Sequence, residues 1–125
     1  MTSLGIVGSR SLAGNLQAYH AIHEYILAMN PDKIVSGGAG GIDSMSTEVA
    51  LGLGYDEDDL IIHLPKPRSP ARWDYIAALF VRNTLIVDDS DELLAIMARG
   101  GTKGTEDTLH KAEIKGITRY VIYID

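Results

Sequence analysis

Three glycine-rich stretches and one polar pair hold the residues of this 125-residue chain that can do chemistry. Gly8-Ser9-Arg10, Gly37-Gly38-Ala39-Gly40-Gly41 and Gly100-Gly101-Thr102-Lys103-Gly104-Thr105 each follow a short apolar run, and Arg82-Asn83 interrupts a long one. Glycine lets backbone N–H groups approach a ligand, and a helix starting just beyond adds unpaired amides and the positive end of its dipole. Phosphate or carboxylate is the natural guest of such a corner.

Arg10 and Lys103 put cations in or beside two of these stretches. A guanidinium is costly to bury alone, so Arg82 predicts either a ligand phosphate, which suits its planar donors, or an internal ion pair with a carboxylate such as Asp43. Asn83 then faces a neighbouring loop or a base. Asp43 either complements a helix dipole or acts as a hydroxyl-binding or catalytic acid. Lys103 and Thr105 are expected to hold phosphate, with Thr105 as a helix N-cap the structural alternative. Trp73, the sole tryptophan, either stacks on a base or fills a core or interface.

These residues need a scaffold, and the periodicity supplies one. Apolar runs at 4–7, 33–36, 60–64, 93–98 and 119–124 read as strands, and helical spacing covers 12–29, 42–53, 70–87 and 106–115. Asn30-Pro31, Gly54 and Gly116 mark helix ends, and Ser69-Pro70 suits a helix start. The acidic residues 56–59 read as a solvated loop. Alternating strands and helices predict an α/β, three-layer Rossmann-like fold: a mostly parallel five-stranded sheet with helices on both faces, one domain over 1–125. The three glycine stretches then share the carboxyl edge of the sheet, where such folds bind ligands.

Composition narrows the function further. Eleven basic against seventeen acidic side chains leave a net charge of −6, which argues against a sequence-blind duplex DNA binder. The absence of cysteine removes thiolate zinc sites, cysteine-held iron-sulfur clusters and cysteine nucleophiles, and fits a reducing, cytoplasmic setting. His20 and His23 have no third ligand at a recognisable spacing, so no metal and no cofactor is expected. No apolar run spans a bilayer, and the first residues lack a basic lead and a cleavage-type stretch, so neither a membrane nor a leader is predicted. The G-x-G-x-x-G pattern fails after Gly8, Ser36 stands where a ribose-binding acid would be, and GxxxxGK[ST] is absent.

In this order Gly8-Ser9-Arg10, Ser36-Gly37-Gly38-Ala39-Gly40-Gly41-Ile42-Asp43, Arg82-Asn83 and residues 100–105 resemble the SLOG superfamily. That Rossmann-like group contains the LOG ("Lonely guy") phosphoribohydrolases, the DNA-processing protein A fold and small stand-alone nucleotide-binding proteins. The resemblance runs over about residues 5–116 and implies a nucleotide or nucleotide-derived ligand. LOG enzymes carry P-G-G-x-G-T-x-x-E; here Arg99 replaces the proline, one extra residue separates Gly101 from Gly104, and Thr108 replaces the glutamate. The segment at residues 36–43 is nearer to the stand-alone members and the DNA-processing protein.

The expected protein therefore binds a phosphorylated nucleotide for binding or sensing. Its site is Gly8, Ser9, Arg10, Gly37, Gly38, Ala39, Gly40, Gly41, Asp43, Arg82, Asn83, Gly100, Gly101, Thr102, Lys103, Gly104 and Thr105. The alternative is LOG-like cleavage of an N-glycosidic bond, with Arg82 orienting phosphate and Glu106 or Asp107 as acid. Single-stranded DNA is the less favoured guest, since eight aromatics and no basic stripe suit it poorly. The apolar length of helix 70–87 predicts a homo-oligomer, a dimer, through that helix.

Overall fold

The computed structural model describes residues 2–125. Five strands, β1 (Ser3–Gly8), β2 (Lys33–Ser36), β3 (Leu60–Ile62), β4 (Glu92–Ala98) and β5 (Thr118–Ile124), alternate with four helices, α1 (Leu16–Met29), α2 (Ile42–Gly52), α3 (Arg72–Asp88) and α4 (Lys103–Lys115). Every strand pair is parallel and the sheet order is β3-β2-β1-β4-β5. This is the expected Rossmann-like arrangement, with the sheet parallel throughout. Strand order reverses between β1 and β4, the point where such sheets open a crevice.

The central strands β1 and β4 are buried almost end to end, as a sheet covered on both faces requires. Along β4 the side chains alternate: Leu94 and Ile96 join Ile22 and Ile26 of α1 and Met45 of α2, while Leu93 and Ala95 join Ile86 of α3 and Ala112 of α4. The edge strand β5 alternates exposed and half-buried residues instead. Lys115 ties α4 to the end of α3 by donating to the carbonyls of Val87 at 2.8 Å, Asp88 at 2.9 Å and Ser90 at 3.3 Å. Among the described residues no helix is long and apolar enough to cross a membrane.

Three expected boundaries move, each for a local reason. The first helix begins at Leu16 rather than residue 12, because Arg10–Leu12 is a separate 3-10 turn, Gly14 has φ +76°, and Asn15 caps α1 by accepting from the Ala18 amide at 3.0 Å. Ser69 is not the cap of α3: its hydroxyl donates to Asp74 and accepts from the Ala71 amide, and Ala71 holds the cap position. The last helix starts three residues early, at Lys103, because Thr102 rather than Thr105 is its N-cap, accepting from the Thr105 amide at 3.3 Å.

Candidate functional site

A cleft of about 380 Å³ opens at the carboxyl ends of β1 and β4. The end of β1 and its turn give it Val7, Gly8, Arg10 and Ser11; the loop after β2 and the start of α2 give Ala39 and Asp43. The start of α4 and the residue before it add Thr102, Gly104, Thr105 and Thr108, and α3 closes the remaining side with Tyr75, Leu79, Arg82, Asn83 and Ile86. Residues from all three glycine stretches thus meet in one hollow.

The turn after β1 is pinned before any ligand arrives. The Ser9 amide donates to the Ile96 carbonyl at 3.1 Å, and the buried Ser9 hydroxyl accepts from the Ala98 amide at 3.0 Å. Ser9 therefore joins β1 to β4, and Arg10 next to it stands exposed at the rim. Gly41, at φ +72°, lies directly under this turn: an added Cβ would sit 2.6 Å from the Ser9 carbonyl oxygen and 2.5 Å from the Arg10 Cα.

Asp43 occupies the loop after β2. Its carboxylate accepts from the Ala39 amide at 3.1 Å, and the Gly37 amide is near enough to favour its charged form. Amides that the sequence offers to a ligand are thus partly taken by the protein's own carboxylate. Burial pushes the Asp43 carboxyl up to about 6; those two amides and the charges of Arg82 and Arg10 pull the other way without overcoming it. A buried acid poised near neutral pH, on the wall of a cleft, can accept a hydroxyl or pass a proton.

Arg82 neither reaches solvent freely nor forms an ion pair within hydrogen-bonding distance of Asp43. Its Nη1 donates to the Gly37 carbonyl at 2.7 Å and its Nε to the Asn83 side-chain oxygen at 3.1 Å. Desolvation and the like charge of Arg10 lower its pKa, and Asp43 opposes that. Among the described residues no carboxylate forms an ion pair with Arg10, Arg82 or Lys103. Buried Asn83 spans two elements, its amide donating at 3.2 Å both to the Gly104 carbonyl and to Asp107.

Several expected residues stand outside the hollow. Glu106 is exposed and does not line it, and Asp107 is engaged by Asn83 and by an ion pair with Lys111. Lys103, Gly100 and Gly101 lie beyond the lining, as do Gly37, Gly38 and Gly40; Gly37 acts through the carbonyl that holds Arg82. Trp73 is 74% exposed and does not touch the cleft. Tyr75, Leu79 and Ile86 were missed; their spacing with Arg82 along one helical stripe was a readable signal. Thr108 lines the cleft, but its hydroxyl is spent on the Gly104 carbonyl at 3.1 Å. Among the described residues no group of three His, Cys, Asp or Glu side chains can hold a metal ion.

No family model matches the chain, and no curated protein matches it. Among solved structures it is similar to DNA processing protein A (DprA) from Streptococcus pneumoniae, with a TM-score of 0.58 at 19% sequence identity. The match covers 98% of this chain and 59% of that one. The two share a fold. The present chain thus spans well under two thirds of DprA's length.

Proposed function

We propose that the chain binds a phosphorylated nucleotide or nucleotide-derived molecule in the cleft between β1 and β4, as a binding or sensing protein of the SLOG type. The observation that carries this is the meeting of Arg10, Arg82 and the amino-terminal turn of α4 around one hollow, in a chain whose overall charge is −6. Positive potential is concentrated there while the rest of the surface repels anions. Ligand phosphate faces the two guanidiniums and the α4 amides, and Asp43 accepts a hydroxyl of the sugar. Tyr75 and Leu79 supply the apolar wall that a base requires.

A thermal-shift panel of nucleoside mono- and diphosphates, ADP-ribose and cyclic nucleotides tests this. A ligand at about 100 times its Kd stabilises by about 2.7 kcal/mol. Arg82→Ala should weaken the best ligand by about 10- to 100-fold, the scale of a charged hydrogen bond. Silence across the panel removes the nucleotide.

A second reading, hydrolysis of that ligand's glycosidic or phosphate bond, is favoured by Asp43, a buried acid with its carboxyl at about 6. Turnover lost and binding retained in Asp43→Asn supports it; binding without turnover in the parent leaves a sensor. The name of DNA processing protein A adds a single-stranded oligonucleotide to the panel, although the net charge of −6 weighs against that guest.

A further inference from the structure

Among the described residues Arg82 alone lines both the cleft at β1 and β4 and a second cavity, of about 250 Å³, between α3 and the segment that follows β3. The apolar part of this second wall is Ile62 at the end of β3, Leu64 just beyond it, and Ala78, Val81 and Leu85 on α3. Ile62, Leu64, Val81 and Leu85 are each between 43% and 61% exposed, so the chain itself leaves them uncovered.

The cavity is tied at both ends. The His63 amide donates to the Ser36 carbonyl at 2.9 Å, and its ring bonds Asp89, just past α3, at 2.5 Å. Further along the segment the Ser69 hydroxyl donates to Asp74 in the first turn of α3. Between these ties Leu64 rests on Gly38, where φ is +68° and an added Cβ would lie 2.5 Å from the Leu64 Cδ2. A wall formed in advance costs a guest little ordering.

The charge around the wall is mainly of one sign. Lys66, Arg68 and Arg82 all line it, and among the described residues none of the three has an ion-pair partner. Against them stands the lining carboxylate of Asp74, which Ser69 engages, while His63 is taken by Asp89. In a chain of net charge −6, three unpaired cations beside an apolar wall select an anion that carries an apolar body. Size narrows the choice: a cavity of about 150 Å³ admits benzene, and sites for drug-sized molecules begin at about 300 Å³. This one lies between the two.

We propose that the cavity is a second ligand site, for a small carboxylic acid with an aryl or short alkyl body. The body rests on Leu64, Val81 and Leu85, and the carboxylate meets Lys66, Arg68 and Arg82. The site differs in chemistry from the nucleotide cleft and stands whatever that cleft binds.

Hydrocinnamate, titrated into the isotope-labelled chain and followed by amide NMR shifts, tests this. Saturable shifts should centre on Leu64, Lys66 and Val81, with a Kd in the low millimolar range or below, as suits so small a ligand. The neutral amide of the same acid should bind at least about 10-fold more weakly, the scale of a lost charged hydrogen bond. Acetate, which has no apolar body, should give no saturable shift at these amides. Val81→Glu, on an exposed position of α3, should weaken hydrocinnamate at least about 10-fold, and circular dichroism checks that the variant is folded. No saturable shift through about 10 mM overturns the proposal. So do shifts centred on Gly8 and Thr105 instead, an amide or acetate that binds as well as the acid, or a folded Val81→Glu variant with unchanged affinity.

Discussion

At Gly8 an added Cβ would lie 2.1 Å from the Ile96 carbonyl oxygen and 2.5 Å from the Ile42 Cγ1; at Gly104 it would meet nothing within 4 Å. Both glycines line the same cleft. The first belongs to a corner where β1, β4 and α2 are pressed together, and the second to the open first turn of α4. Glycine at the β1 corner is a packing requirement; in α4 the space is free. Residues of one type, alike in sequence, thus divide into a locked half of the site that the fold dictates and an open half that a ligand can use.

The largest expected effect lies in the locked half. Gly8→Ala should destabilise the chain by about 3 kcal/mol, the upper range for overpacking, because its clashes are with backbone and with a buried isoleucine. Urea unfolding measures it; a loss below 1 kcal/mol would erase the distinction between the two halves.

The carboxyl of Asp43 gives the next. Its folded value of about 6 lies above the unfolded value of about 3.9, so its ionised form is the one the fold disfavours. Its contribution is fully present below about pH 4 and is lost as pH rises through about 6, on the order of 3 kcal/mol. Unfolding curves of parent and Asp43→Asn, compared between pH 4.5 and 7.5, should diverge in favour of the variant towards high pH. Parallel curves would show that the acid is better solvated than its burial implies.

In the open half, Gly104→Ala should be tolerated and raise stability by about 0.5–1 kcal/mol, as alanine does in a helix where nothing obstructs it. A destabilised variant would mean that this turn is as tightly fitted as the corner at Gly8.

The order of elements was legible because glycine and proline clusters punctuate the chain where strands give way to helices. The second strand, residues 33–36, is recovered to the residue, and the second helix to within one. Boundaries failed where two residues competed for one role. Leu12 is buried and helically spaced from Leu16, yet it belongs to a separate 3-10 turn, while Leu16 is 81% exposed. Thr102 and Thr105 are both good caps, and spacing alone did not choose between them.

At the site, Arg82 and Asn83 stood out because they break an apolar run. Tyr75 and Leu79 did not, since an apolar residue lining a cleft looks like one filling a core. Glu106 and Asp107 lie close in sequence to Thr108, which stands where the LOG signature has its glutamate. The phase of α4 then left Glu106 in solvent and Asp107 tied to Asn83 and Lys111.

The sheet order has a consequence for how the chain is made. Of the five strands β1 is made first, and it ends in the middle of the sheet, where Leu4 is paired with Ile34 on one side and Glu92 on the other. Until residue 92 is synthesised, one edge of an almost wholly apolar strand has no neighbour to bond. The nascent half-sheet thus carries an adhesive border that only later translation can cover.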